Sequence, residues 1–382
     1  MPKIKIYDAK DGDAFLVEGT SSNFSALIDG GYKSTFSSSI RPDLEYLAKQ
    51  GRVLDLVVCT HVDADHISGL LSFFEKNESS MHPKIIAVGE VFHNGLSCLL
   101  LEPTDSTRLS NSDAVLLRDI KLRGFPKNEV SIKGENISAR QGLTLSGLLT
   151  TNDYFWNRSD GKSPIIHKSD DHMEIQDAKI FILAPNRKRL DQLKSWWISE
   201  LRQLGYFGTL SGLDDVFELI CAYETQISAM KDIAQIDGNL RDVYTPDKSV
   251  TNGSSISFIL ELEGKRILFL GDSFAEDIVE VLPEKPQYFD AIKISHHGGL
   301  GNTSPELLSV IDSPNYLIST SGDKHDHPSI PVLKEIVDRP SKFTRNVFFN
   351  YSTKTSDYIK SYIDNNSRNC RVFDGFQEWI HI

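Results

Sequence analysis

Residues 54–66 constrain this chain more than any other stretch. Leu54-Asp55-Leu56-Val57-Val58-Cys59 is β-branched and nearly all apolar, the composition of a buried strand. Directly behind it comes Thr60-His61-Val62-Asp63-Ala64-Asp65-His66, which sets four ionisable side chains within six residues. A strand end is a rigid platform, and the loop leaving it can turn several side chains towards one point. Histidine and aspartate are ligands for zinc, manganese or iron. In an extended segment, alternate positions 61, 63 and 65 share one side, with His66 following at a turn.

Two later strands end on similar chemistry. Ile267-Leu268-Phe269-Leu270 runs into Gly271-Asp272-Ser273, and Ile292-Lys293-Ile294 runs into Ser295-His296-His297-Gly298-Gly299. The glycines allow close approach of backbone or substrate. Around these three signals the pattern predicts strands near the N-terminus (3–7, 14–17, 24–28), at 84–88 and 179–183, and through the C-terminal part (255–262, 266–270, 291–295, 316–320, 347–350). Glu263-Gly264-Lys265 is a hairpin signal. Helices are expected at 42–50, 67–74, 141–149, 304–311, 330–338 and 354–364. Between 187 and 236 two long amphipathic helices are expected, broken near Gly205 to Gly212. Trp196-Trp197 in that block is expected to serve packing rather than base stacking.

The charge balance narrows the function. Lys+Arg 41 against Asp+Glu 53 leaves a net charge of −12, which argues against a general nucleic-acid coat or a polybasic membrane binder. The 382 residues leave room for two or three domains. Cys59, Cys98, Cys221 and Cys370 are scattered without a CxxC pair, so neither a disulfide framework nor a cysteine zinc site is suggested. No secretory signal or spanning apolar run is visible, and a cytoplasmic location without membrane contact is the expectation. Ser295 has a histidine neighbour but no G-x-S-x-G elbow.

Together the three signals resemble the metallo-β-lactamase superfamily, whose pattern is HxHxDH after a strand, then a Gly-Asp pair and a late histidine. The chain looks most similar to the metallo-β-lactamase domain of ComEC/Rec2-type proteins. Gly12-Asp13-Ala14, Leu27-Ile28-Asp29-Gly30-Gly31, the HxDxDH loop, Asn252-Gly253-Ser254, Gly271-Asp272, Ser295-His296-His297-Gly298 and His325-Asp326-His327-Pro328 carry the likeness. It covers about residues 3–90 and 250–350.

The resemblance implies an α/β fold: a four-layer αββα sandwich of two mixed sheets. Residues 1–94 and 251–382 would form its two halves, with 95–250 an inserted, partly helical cap. It implies a hydrolase using two divalent metal ions, zinc or manganese, and a metal-bridging hydroxide. Asp63 stands where the superfamily has its second histidine, which favours a harder ion. His61 and Asp63 would hold the first ion, Asp65 and His66 the second together with one of His296 and His297, His296 being favoured, and Asp272 would bridge. Asp65 would also orient the water, while His297 or His327 would act on the phosphoryl or leaving oxygen. The third ligand of the first ion is His93, Asn252 or none. Asp29 would support the site without ligating. The implied substrate is a phosphodiester, in nucleic acid or a nucleotide. The alternatives are a lactone or amide hydrolase of the same fold, and a metal-bound regulatory or scaffold module. A protein partner or a second copy of the chain could dock on the helical insert.

Overall fold

The computed structural model describes residues 1–100, 111–123, 144–159, 161–169, 171–228, 238–323 and 327–382. Sheet one holds β1 (Lys3–Ile6), β2 (Phe15–Glu18), β3 (Ser25–Ile28), β4 (Leu54–Val58) and β5 (Val88–Phe92). Next come β6 (Met173–Ile175), β7 (Ala178–Ala184), β8 (Ser257–Leu262), β9 (Lys265–Phe269), β10 (Gln287–Tyr288), β11 (Ala291–Lys293), β12 (Ile311–Asp312), β13 (Asn315–Ile318), β14 (Arg345–Phe349) and β15 (Cys370–Phe373). The last strand, β16 (Ile380–His381), returns to sheet one beside β1. Among the described residues the order in sheet one is β16-β1-β2-β3-β4-β5, and in sheet two β15-β14-β13-β11-β9-β8-β7-β6; β10 and β12 form a short side pair. Both sheets are mixed: β3, β4 and β5 run parallel, as do β9, β11, β13, β14 and β15, while the other pairings within the two sheets are antiparallel; the β10–β12 side pair is parallel.

Strand alternation builds the layers. Ile4, Ile6, Phe15, Val17, Ala26, Ile28, Leu56 and Val58 face inward and meet Phe258, Leu260, Ile267, Phe269 and Leu317 of sheet two. Their neighbours Leu16, Leu27 and Val57 face outward, under helices. On the far side Ile259, Leu268, Ile292, Ile318 and Val347 are covered by helices of the C-terminal half. Central strands are therefore buried on both faces, which is why they read as apolar runs rather than as alternation. The result is the expected αββα sandwich. Residues 178–184 lie inside the region 95–250, yet β7 pairs with β8, so that region supplies the edge of sheet two as well as helices.

Some expectations shift. The strand expected at 84–88 lies instead at Val88–Phe92. The amide groups of Ile85 and Ile86 both donate to Asn77 Oδ1, at 2.9 and 3.0 Å, which replaces ladder bonds. The helix expected from Ile67 begins at Ala64 and runs to Asn77, so Asp65 and His66 sit in its first turn rather than in an extended segment. Helix Leu145–Thr151 is capped by Thr144, whose Oγ1 accepts from the Gly147 amide at 2.9 Å. The long helices of the insert are Arg187–Gln203 and Asp214–Ser228. Positions 141–143, 229–236, His325 and Asp326 lie outside the described residues. The Glu263-Gly264 turn has both residues at positive φ (52° and 77°), the geometry of a two-residue hairpin that matches strand twist. Among the described residues no helix is long and apolar enough to cross a membrane.

Candidate metal centre

The carboxyl ends of β4, β9 and β11 converge. Close backbone contact locks the β4 loop in place: a Cβ on Gly69 would lie 1.9 Å from Gly30 O, and one on Gly12 2.0 Å from Asp65 O. The helix that opens at Ala64 can therefore press directly on the Asp29-Gly30-Gly31 turn, where the Gly30 amide donates to His66 O at 2.9 Å. At the end of β11, His296 and His297 both adopt left-handed backbone (φ 46° and 55°), an arrangement that side chains rarely adopt.

Asp272 is the focus. Its Oδ2 lies 3.4 Å from His66 Nε2, 3.7 Å from His297 Nε2 and 3.9 Å from both His61 and His296 Nε2. Asp63 Oδ2 is 3.1 Å from His61 Nε2, and Asp65 Oδ2 is 3.9 Å from His66 Nε2 and 3.8 Å from His297 Nε2. Among the described residues the ligand atoms of four groups cluster tightly enough to hold an ion: His61-His66-Asp272, Asp65-His66-His297, Asp272-His296-His297 and, behind His66, Asp13-Asp29-His66.

The opposite edge of each imidazole assigns its tautomer. Asp29 Oδ2 can only accept, so His66 Nδ1, 2.9 Å away, carries the proton. Thr60 donates its hydroxyl to Asp29 Oδ2 at 2.8 Å, and its oxygen is left to accept from His61 Nδ1 at 3.0 Å. His297 Nδ1 donates to Ser319 O at 2.8 Å. His296 Nδ1 donates to Asn302 Oδ1 at 2.7 Å, because the Asn302 amide nitrogen is committed to Asp247 and to the Asp272 carbonyl. All four Nε2 lone pairs then face carboxylate oxygens, an arrangement that a cation between them resolves.

Electrostatics give the same picture. Burial alone would lower His66, but Asp272, Asp29 and Asp65 hold it well above its ordinary value. For His297, too, burial is outweighed, by Asp13 and Asp272, and its value is raised. Burial would raise Asp272, yet the surrounding His66, His297 and His296 hold it well below the usual carboxylate range. A cation held at these nitrogens would have to displace protons from them. Among the described residues the buried atoms His61 Nε2, His66 Nε2 and Asp63 Oδ1 have no hydrogen-bond partner, which fits a divalent ion with nitrogen and oxygen ligands.

His327 lies beside the cluster, its ring centroid 4.9 Å from that of His296 and 6.3 Å from that of His297. His93 points elsewhere. Its Nε2 is 3.6 Å from Glu218 Oε1 of helix Asp214–Ser228, and its ring stacks on Trp156 at 6.1 Å. Asn252 gives its amide to Asp247 at 2.7 Å, and its neighbour Thr251 donates to Asp63 Oδ2 at 3.3 Å. Lys293, Thr251 and Asn302 also touch the cluster, although no sequence motif marks a role for them, and Asp13 lies in the Gly12-Asp13-Ala14 motif, which by itself assigns it no contact. A lysine ending an otherwise apolar strand was the readable signal for Lys293.

Residues 7–78 match the sequence model of a family described as the Metallo-beta-lactamase superfamily. The match includes the whole His61–His66 loop and Asp29. Among solved structures the chain is similar to the metallo-beta-lactamase fold protein YhfI from Bacillus subtilis, at 9% identity over 100% of both chains and a TM-score of 0.37. It is also similar to a mutant of CmlA beta-hydroxylase, at 10% identity over 100% of this chain and 54% of that one, with a TM-score of 0.35. No curated protein matches the chain.

Proposed function

We propose that this chain is a hydrolase of phosphodiesters that works with two divalent cations, zinc or manganese. The observation that carries the reading is the convergence of four imidazole Nε2 atoms within 3.4–3.9 Å of Asp272 Oδ2. Each of those rings has its Nδ1 proton tied down on the far side. Charge supports the number of ions. Asp13, Asp29, Asp63, Asp65 and Asp272 are five carboxylates around one ammonium, Lys293, and the four negative charges left over equal the charge of two divalent cations.

In this reading His61 and Asp63 would hold one ion and Asp65, His66 and His297 the other, with Asp272 within reach of both groups. His297 takes the ligand place expected for His296, because its Nε2 reaches both Asp65 and Asp272, whereas His296 reaches Asp272 alone. His93, turned to Glu218, stays outside the first site, whereas Asn252 Oδ1, buried without a hydrogen-bond partner among the described residues, remains its candidate third ligand. Bound divalent ions would supply a water of lowered pKa and stabilise charge on a phosphoryl oxygen. The chain's own groups do the rest. Asp65, the least buried of the site carboxylates, is placed to orient water. The part-exposed His296 and neighbouring His327 are placed to donate to a substrate oxygen or to the leaving group. The carboxylate-rich donor set, with Asp63 in place of a histidine, favours hard ions and the anionic phosphodiester over a lactone or amide.

Metal analysis and hydrolysis of bis-p-nitrophenyl phosphate test the proposal. Purified protein reconstituted with zinc or manganese is expected to hold about two ions per chain. Asp65→Ala and Asp272→Ala are each expected to abolish chelator-sensitive hydrolysis. Protein that takes up no ion, or variants that keep full activity, would overturn it. Turnover of a lactone with none of the phosphodiester would transfer the site to the other substrate class.

A further inference from the structure

Lys293 ends β11, in register with the inward-facing Ala291, where the sandwich interior calls for an apolar side chain. It is 1% exposed. A buried ammonium is costly unless its donors are met. Here three oxygens surround Nζ: Asp13 Oδ2 in close contact, Gly271 O at 2.8 Å, and Asp272 Oδ1 at 3.5 Å. Asp13, also 1% exposed, reaches further. Its Oδ1 is 3.2 Å from His297 Nδ1, its amide donates to Asp65 O at 3.3 Å, and its carbonyl accepts from the Gly31 amide at 2.8 Å. The pair thus touches, from behind, the segments that carry Asp65, Asp272 and His297, and the turn that carries Asp29.

The two oxygens of Asp272 have different neighbours. Oδ1 faces Lys293, while Oδ2 faces the four imidazoles. We infer that Lys293 and Asp13 are positioning residues that make Asp272 present a single oxygen to both cations, so that it bridges them rather than closing on one of them with both oxygens. This rests on the dinuclear reading above. It adds that the bridge depends on a buried ion pair that need touch neither substrate nor metal.

The test separates positioning from simple charge. Removing Lys293 alone takes a positive charge from the site, so screening by itself predicts tighter cation binding in Lys293→Met. Positioning predicts weaker binding. The double variant Asp13→Asn with Lys293→Met leaves the net charge of the site unchanged, and replacing both members of a buried pair often leaves stability intact. Wild-type protein and both variants would be loaded with manganese. Affinity would be read by chelator competition and bridging by the exchange-coupled signal of a manganese pair in electron paramagnetic resonance. The expected result is two ions and a coupled signal in the wild type. The folded variants should show at least a tenfold loss of affinity for one ion and lose the coupled signal. Wild-type affinity and a coupled signal in either folded variant would overturn the inference. A wild-type protein that binds no manganese and no zinc would instead refute the dinuclear reading itself.

Discussion

Asp29→Asn is the sharpest single perturbation of this site, because it changes protons without changing shape. Asp29 takes a left-handed backbone (φ 56°), a conformation that asparagine adopts readily, so the turn is not disturbed. The Thr60 amide donates to Oδ1 at 2.8 Å, which fixes that atom as the oxygen in the variant as well. The new amide nitrogen must then occupy the Oδ2 position, 2.8 Å from Thr60 Oγ1 and 2.9 Å from His66 Nδ1. Donating to His66 Nδ1, it forces the ring proton onto Nε2. Donating to Thr60 Oγ1, it frees the hydroxyl hydrogen to point at His61 Nδ1, 3.0 Å away, and shifts that ring's proton in the same way. Two nitrogens that should bind cations would then carry protons.

Losing the partner that orients a ligating histidine lowers metal affinity by about 10–100-fold, or about 1.4–2.8 kcal/mol. With two rings affected, both ions should weaken by at least that much. Folding should suffer less, by about 1–2 kcal/mol, as bonds to a charged acceptor become bonds to a neutral one. Chelator competition measures the affinity, and nitrogen-15 shifts of labelled imidazoles report the tautomers. Metal-free melting measures the folding cost. Wild-type affinity with both Nδ1 protons retained would refute the proton chain from Asp29 to the two rings.

Other outcomes follow from the packing. Trp197 is fully buried and meets Phe217 edge-on at 5.5 Å in a cluster that runs on to the outer face of sheet one. Trp197→Ala should cost about 3–5 kcal/mol in denaturant unfolding; Trp197→Phe should cost clearly less, because the indole N–H it removes has no hydrogen-bond partner among the described residues, and equal costs would refute that account. Arg345, 1% exposed, grips Asp312 with two bonds of 2.9 Å. Asp312→Asn, which leaves that guanidinium charge buried without its counterion, should cost about 3 kcal/mol. Burial would raise Asp312, but Arg345 and Arg339 hold it below the usual carboxylate range. Its contribution is therefore present above the ordinary carboxylate pKa and is lost as pH falls through the lowered folded value. Melting curves from pH 7 downward should show a shallower acid loss in Asp312→Asn than in the wild type.

Much of the architecture was legible along the chain. The apolar runs at 54–58 and 267–270, the hairpin at Glu263-Gly264 and the helices after 304, 330 and 354 are local patterns. Local patterns suffice where a strand is buried on both faces or a turn demands positive φ. The strand at 88–92 was misplaced because Asn77 satisfies the amides of Ile85 and Ile86 from a distance, which no local pattern shows. His93 follows a strand at the same level as His61, and only the side on which helix Asp214–Ser228 packs draws it to Glu218.

The sequence alone determined the inventory of candidate ligands: four ionisable groups behind one strand, one acid behind a second, two histidines behind a third. Residue type sets which metal chemistry is available, and a strand end sets where it can be displayed. Tertiary structure decided the roles. Which of His296 and His297 reaches Asp65 depends on two left-handed residues and on where Asn302 and Ser319 lie. Which nitrogen of each ring faces the centre depends on Asp29, and which oxygen of Asp272 does so depends on Lys293 and Asp13. Those partners come from distant parts of the chain, and direction at a metal site is set by what stands behind each ligand as much as by the ligand itself.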